Sequence, residues 1–418
     1  MTEADRNPDG TEPAGQIYVL AASVLTLLIG SGAMFLVVVA LKPIAAEFSW
    51  PRAVPSLAFS LQFLGAGFGG FFMGRVLDRY GMGPPALVAS LTIPCGAILL
   101  SQFDAAWQLY AIYGLLIGFL GTGALAAPAM ANIARWYVRR RGMAVGIVAG
   151  GQALAGIMWP PIFVLVMEAH GWRTMALAFG AVAAVFLPAL ALVLRRRPGV
   201  PAGPPGTTAS VPAARPAAGS RLPMSVGGLQ AALCAAIVGC CVAMGLPLGH
   251  LVSYVTDLGH PATNAAEVLS VMLMSAFVSR AVFVGLLADN IGGLRALFLF
   301  SGTQAAMLAA FTAVHGLAEL YVVAILFGLG YGGIFPVYAV AIRELMPIAE
   351  AGRRTGLVFL FGALAMGFGS WIGGILFDAT GNYVSAFLLG VAFNVANLAV
   401  LAVTIFRLGP RSPRPAAA

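Results

Sequence analysis

Arg280 is a permanent cation inside an apolar run. The stretch VLSVMLMSAFVSRAVFVGLLADN, from Val268 to Asn290, places it about 18 Å along a helix counted from Val268, a little past the middle of a bilayer. A lone charge at that depth costs at least about 2.5–3.5 kcal/mol, and a guanidinium does not shed its proton. Such a residue must face a polar cavity, a partner or a ligand. Its planar fork fits a carboxylate through two hydrogen bonds, and no acid stands one turn away in the same run. Carboxylate binding is therefore expected at Arg280, with a structural ion pair inside the bundle as the alternative.

Other polar residues could serve the same site. In GLPLGH, Gly245 to His250, Pro247 removes a backbone donor and is expected to bend the helix. His250 can donate to a substrate hydroxyl or carboxylate. Asp257 lies seven residues on, so it shares a helical face with His250. It is a candidate proton carrier and a counter-ion for Arg280, although its depth lies nearer the helix end. In GLGYGGIFPVY, Tyr331, Phe335 and Tyr338 form one stripe. Tyr331 can aim a hydroxyl at a carboxylate, and Phe335, with Phe359 further on, can wall an apolar pocket. Leu28, within about 40° of Lys42 on a helical wheel, is a further wall candidate. The alternatives are plain: packing for the apolar residues, and a solvated loop acid for Asp257.

The elements that must hold these residues are membrane spans. The chain has 418 residues, of which 60% are hydrophobic and 9% charged, with mean hydropathy +0.93. A soluble domain carries roughly 25% charged residues. Apolar stretches of span length recur from Ile17 to Phe406. The fold class is thus an all-α polytopic membrane protein. Its polar, acidic start is unlike the basic start of a signal peptide, so no cleaved leader is expected. The four cysteines, Cys95, Cys234, Cys240 and Cys241, lie in apolar runs without metal-ligand spacing. No metal, no cofactor and no enzymatic nucleophile is expected.

Hydropathy predicts twelve helices, roughly 17–41, 54–77, 84–102, 107–133, 143–167, 173–194, 225–256, 265–288, 294–313, 318–344, 354–377 and 383–406. Of 23 basic residues, 22 are Arg and one is Lys42. Most fall in alternate connections, among them Arg75, Arg79, Arg135, the run Arg139 to Arg141, Arg195 to Arg197, Arg295, Arg343, Arg353 and Arg354. The other connections hold little beyond Arg52 and Arg173. This asymmetry predicts cytoplasmic termini and argues against a nucleic-acid partner for the net charge of +8. The expected division is a tail over 1–16, a six-helix lobe over 17–194, a Pro/Ala/Gly-rich linker over 195–222, a second lobe over 223–406 and a tail over 407–418. The halves echo each other: GRVLDRYG, Gly74 to Gly81, and GLLADNIGG, Gly285 to Gly293, both read G-x-x-x-D-x-x-G after the second helix of their half.

Twelve helices, a long central loop and the D-R-x-G type loop resemble the major facilitator superfamily. That resemblance implies a cytoplasmic latch involving Asp78, Arg79 and Asp289. In the second copy Asn290 replaces the arginine. WYVRRRGMAVGIVAGGQALAG, Trp136 to Gly156, resembles the monocarboxylate transporters: two aromatics, a basic cluster, Met143 and Ala144, then Gly146 and Gly151. Arg280 matches that family's helix-8 arginine, which implies carboxylate binding. Lys42, in the segment KPIAAEFSW, matches a helix-1 lysine, which implies a part in proton coupling. The same segment is similar to the bacterial branch that contains oxalate/formate antiporters. The family's acidic helix-1 motif is missing, Ala276 stands where its helix-8 aspartate would be, and helix 11, GLVFLFGALAMGFGSW, has no charge.

One cation without a helix-11 partner suggests one carboxylate. The reading is alternating-access symport of a small monocarboxylate, of the L-lactate or pyruvate type, with a proton. The expected partners are that substrate, the proton and the lipid bilayer, and the expected setting is a monomer in a bacterial plasma (inner) membrane. Oxalate/formate-type antiport is the main alternative, and a carboxylate sensor without transport is a distant one. Glycine pairs Gly65/Gly69, Gly70/Gly74, Gly146/Gly150 and Gly369/Gly373 are expected to allow close helix packing that also slides.

Overall fold

A backbone that leaves water must satisfy its polar groups internally, and a run of about 20 apolar residues does so as helix. The computed structural model describes residues 15–137, 141–196, 224–347 and 350–408. Within them the chain forms α1 (Gln16–Glu47), α2 (Ala53–Tyr80), α3 (Gly83–Leu100) and α4 (Ala106–Trp136). A helical run Arg141–Leu194 follows, in which Gly171 alone is non-helical, at φ 81° and ψ 163°. This break makes two spans of it, α5 (141–170) and α6 (172–194). The second half holds α7 (Val226–Asp257), α8 (262–291), α9 (Gly293–Phe311), α10 (Leu317–Leu345), α11 (Ala351–Thr380) and α12 (Val384–Leu408). Of the linker expected at 195–222, only Arg195 and Arg196 are described, and Arg139, Arg140 and the tails over 1–14 and 409–418 lie outside the described residues.

One expectation needs correction. The first helix does not end at residue 41: it continues through Lys42 and Pro43 to Glu47. Helix 7 keeps its helical backbone through Pro247, from Val226 to Asp257. Close packing on both sides holds it in register: a side chain at Gly245 would meet the Met366 backbone, and one at Gly249 would meet Ser370 and Phe59.

The sequence repeat is a repeat of backbone shape. Gly81 closes α2 at φ 82° and Gly292 closes α8 at φ 88°. Gly171 and Gly381, which divide α5 from α6 and α11 from α12, have φ 81° and 73°. Left-handed φ values favour glycine strongly, so the matching glycines mark matching turns in the two halves.

The halves touch at the end of the bundle opposite the termini and part toward the termini. At the far end, a side chain at Gly374 on α11 would run into Ala53 and Ser56 on α2, and Ser60 Oγ donates to the Gly367 carbonyl at 2.5 Å. The Phe277 ring on α8 lies 3.0 Å from where a side chain at Gly150 on α5 would begin. Closer to the termini the crowding ends. Gly67 and Gly74 on α2, Gly146 on α5 and Gly356 on α11 face open space. The result is a cleft between the halves, closed at the far face and open at the terminus face. The other glycine pairs pack within a half rather than between halves. Gly65 and Gly69 lie on α4 backbone at Gly114 and Phe119, and Gly369 lies on α7 at Val242.

Candidate functional site

Arg280 sits in a single wide turn of α8, Ser279–Phe283, with π-type bonding. Such turns in a helix are frequent at functional sites. Its Nε donates to the Gly332 carbonyl at 3.1 Å and its Nη2 to the Tyr331 hydroxyl at 3.3 Å, with the guanidinium carbon 5.5 Å from the Tyr331 ring centroid. These partners come from α10, and small residues bring α10 close enough. A methyl group at Gly332 would strike the Ala276 carbonyl, and one at Gly328 would strike Ser275 and Met272. Ser279 Oγ adds a bond to the Leu329 carbonyl at 2.6 Å. GLGYGG is therefore the part of α10 whose backbone can lie directly on α8. One turn toward the termini from Tyr331, Phe335 meets Phe359 of α11 edge to face, with centroids 5.1 Å apart. Leu28 is half-buried in α1, and its carbonyl accepts from the Trp159 indole at 2.9 Å.

Asp257 is not the counter-ion of Arg280. It stands at the far end of α7 and binds two cations of the first half. Lys42 Nζ lies 2.7 Å away, and Arg52 grips both oxygens at 2.5 and 3.0 Å. The reason is depth: Asp257 is the last residue of its helix, whereas Arg280 is past midspan. Among the described residues no carboxylate lies within ion-pair distance of Arg280.

His250 also departs from expectation. It is fully buried, and both its ring nitrogens are engaged by protein. Nε2 is 2.7 Å from the Ser370 carbonyl and Nδ1 is 3.1 Å from the Tyr383 hydroxyl. A carbonyl only accepts, so Nε2 carries the proton and Nδ1 accepts from Tyr383. The Tyr383 oxygen is then free to accept from Arg52 Nη1 at 3.0 Å. The chain Arg52, Tyr383, His250, Ser370 leaves His250 no donor for a substrate in this conformation.

These contacts make a latch at the far face that composition alone did not reveal. Asp378 at the end of α11 accepts from the Arg52 and Ala53 backbone amides, both at 2.8 Å, at the start of α2, where a helix favours negative charge. The Arg52 guanidinium also lies 3.6 Å from the Phe377 ring centroid. Lys42 donates to Thr256 at 3.1 Å. Arg52 could have been suspected, since it and Arg173 run against the basic asymmetry. Arg173 proves to be tied within its own half, to Glu47 at 2.6 Å.

At the terminus face, Asp78 pairs with Arg135 of the same half at 2.5 Å, with both side chains substantially exposed. Arg79 lies beside the Tyr80 ring, 5.3 Å from its centroid. The Asp289 side chain lies outside the described residues.

A sequence profile of the Major Facilitator Superfamily matches residues 22–319 and 281–418. Monocarboxylate transporter 13 of Rattus norvegicus is 27% identical over 388 residues, spanning 92% of this chain and 86% of that protein. Monocarboxylate transporter 11 of Homo sapiens is 28% identical over 330 residues, spanning 74% and 66%. The MFS-type transporter pynF of Aspergillus niger is 27% identical over 340 residues, spanning 80% and 73%. Among solved structures, a bacterial homologue of the human lysosomal transporter Spinster superposes with a TM-score of 0.71 at 13% identity, covering 95% of this chain and 97% of that one, which speaks for the fold alone. The superfamily profile covers most of the chain, and the chain belongs to the Major Facilitator Superfamily as a membrane transporter rather than an enzyme, with relatives named monocarboxylate transporters.

Proposed function

We propose that this transporter carries a small monocarboxylate together with a proton, and that Arg280 holds the carboxylate. The observation that carries this reading is the Arg280 guanidinium. It sits past midspan, half-buried, hydrogen-bonded only to neutral groups and without an acid partner among the described residues. An incoming carboxylate supplies the missing charge and two strong acceptors. Tyr331 orients the fork, while Phe335 and Phe359 form an apolar wall beside it. The names of the relatives agree with a monocarboxylate substrate.

The proton follows from the membrane potential. An anion entering against an inside-negative potential costs about 2.3 kcal/mol per 100 mV, and one proton carried along removes that cost. Asp257 is the carrier we assign. A proton on its carboxyl cancels the charge that holds Lys42 and Arg52, so the outer latch loosens and the cleft can open to the outside. Deprotonation restores the latch and favours the inward-open form. Asp78, Arg79 and Asp289 belong, in this reading, to the reciprocal closure at the terminus face. That face is cytoplasmic: Arg75, Arg79, Arg135, Arg195, Arg295 and Arg354 cluster there, and the setting is a bacterial plasma membrane.

A dicarboxylate would want a second cation beside Arg280. Lys42 is engaged by Asp257 and Thr256 at the far end, and α11 has no charge from Gly356 to Trp371. This favours a monoanion over oxalate. The test is uptake of labelled L-lactate and pyruvate by the purified protein in liposomes with an imposed pH gradient. Uptake that rises with external acid and vanishes in Arg280→Ala supports the reading. Indifference to the gradient removes the coupling, and full uptake by Arg280→Ala removes the site.

A further inference from the structure

Arg280 and Asp257 do not touch, and among the described residues the hydrogen bonds around each end before they meet. From Arg280 they reach the Gly332 carbonyl and the Tyr331 hydroxyl. From Asp257 they run through Lys42 and Arg52 to Thr256, Tyr383, His250 and the Ser370 carbonyl. Symport of a carboxylate with a proton requires the two places to sense each other, because a site indifferent to the latch would let either ion cross alone.

Aromatic rings close the gap. Tyr331 lies nearly parallel to Phe327, one turn away on α10, with 6.4 Å between centroids and 24° between planes. Phe327 meets Phe311, the last residue of α9, at 6.0 Å. Phe311 meets Phe387 of α12 at 6.0 Å, and Phe387 lies nearly parallel to Tyr383 at 6.1 Å and 22°. Tyr254 of α7, one turn before Asp257, sets its ring edge to face with Phe387 at 5.0 Å and donates to the Phe311 carbonyl. Every spacing falls in the range of favourable ring pairs, and no ring of the line is more than 8% exposed. Each end is a tyrosine whose hydroxyl accepts from an arginine: Tyr331 from Arg280, and Tyr383 from Arg52. Among the described residues the first half has no such line between its ends. Phe48, Trp50, Phe103 and Trp172 stack at the far face, and Trp159, Phe163 and Phe179 form a separate group.

We propose that this line of rings couples the carboxylate site to the far-face latch, so that a substrate on Arg280 and a proton on Asp257 each favour the other. The proposal rests on the proton-coupled reading above and supplies the link that reading requires. A carboxylate draws the Arg280 fork toward itself and off the Tyr331 hydroxyl, and Tyr331 resettles against Phe327. A close-packed interior passes such a shift on rather than absorbing it, ring to ring, as far as Tyr383. There the hydroxyl donates to His250 and accepts from Arg52, so a shifted ring weakens the hold on Arg52. The groups that face the Asp257 carboxylate from the packed elements are Lys42 of α1, Arg52 at the start of α2 and Tyr383 at the start of α12. Asp378 of α11 holds the Arg52 amide, and His250 lies on the same helix as Asp257. Such linkage is reciprocal: the factor by which the proton tightens substrate binding equals the factor by which the substrate tightens proton binding.

The experiment is equilibrium binding of labelled L-lactate and pyruvate to the purified full-length protein, in acidic and in neutral buffer. The ratio of the two affinities measures the coupling. The wild type is expected to bind about tenfold more tightly in acid. Phe327→Leu and Phe311→Leu keep much of the apolar bulk and remove the ring, and each should bring the ratio to about one while binding in neutral buffer persists. Phe387→Leu is a third interruption of the line, should either of the others fail to fold, with melting curves as the check. Phe179→Leu, an equally buried ring of the first half, controls for a general loss of packing and should keep the full ratio. An undiminished ratio in a folded line variant, or an equal loss in Phe179→Leu, overturns the proposal and leaves proton-coupled transport standing. A wild type that binds equally in both buffers overturns the coupling, and the proposal with it. A wild type that binds neither acid overturns the monocarboxylate reading as well.

Discussion

Arg52 of the first half and Asp257 of the second form a two-pronged ion pair at 2.5 and 3.0 Å, and Lys42 closes on the same carboxylate at 2.7 Å. One negative charge thus holds two positive charges across the far face between the halves. An isolated exposed pair contributes little. Here the Arg52 side chain is 14% exposed and Asp257 24%, and the pair is extended by Tyr383 and His250, so the group acts as a network. Its loss should shift the balance of conformations rather than unfold the protein.

Asp257→Asn tests this. The amide keeps the shape, cannot take up a proton in the same range and leaves Lys42 and Arg52 uncompensated. Uptake stimulated by external acid should fall about tenfold or more, while lactate counterflow at equal pH on both sides continues, because counterflow requires no net proton movement. A pH-gradient response equal to that of the wild type would remove Asp257 from the coupling.

Arg280→Lys keeps the charge and loses the fork. Lysine has no second prong to hold the Gly332 carbonyl and the substrate together, so KM should rise about 10- to 100-fold, or about 1.4–2.8 kcal/mol. Tyr331→Phe removes one neutral hydrogen bond of about 0.5–1.5 kcal/mol, and a KM rise of about two- to tenfold is expected. Concentration dependence of uptake in liposomes measures both. A larger effect from Tyr331→Phe than from Arg280→Lys would mean that the hydroxyl, and not the cation, holds the substrate.

What the sequence made legible follows from the range of each force. Apolar length, basic asymmetry and the repeated G-x-x-x-D-x-x-G loops are local patterns, so span number, helix type and the paired turns at Gly81 and Gly292 could be read directly. Arg280 was legible because a midspan guanidinium is costly wherever it lies. Its proximity to Tyr331 was only suggested, since it depends on Gly328 and Gly332 letting two helices touch. The partner of Asp257 was misread because the residue was matched with the strongest cation of its own half. Its true partners, Lys42 and Arg52, come from more than 200 positions earlier in the chain.

Two glycines offer opposite outcomes from the same substitution. At Gly332 a methyl group meets the Ala276 carbonyl and Cα of α8, which are backbone and cannot swing aside. Gly332→Ala should push α10 from α8, withdraw the Gly332 carbonyl and the Tyr331 hydroxyl from Arg280, and lower both thermal stability and apparent affinity. Gly146 faces open space in this conformation, and alanine is better than glycine in a helix by about 0.5–1 kcal/mol. Gly146→Ala should therefore stabilise the conformation open at the terminus face. Gly146 lies on the α5 face that parts from the second half toward the termini, so the added methyl group should also slow turnover if that face must close during transport. Melting of the purified variants alongside initial uptake rates separates the two. Gly332→Ala is expected to lose in both measurements, whereas Gly146→Ala should gain in melting temperature and lose in rate. A Gly146→Ala protein with higher stability and unchanged turnover would show that the terminus face closes without bringing α5 into contact at this level.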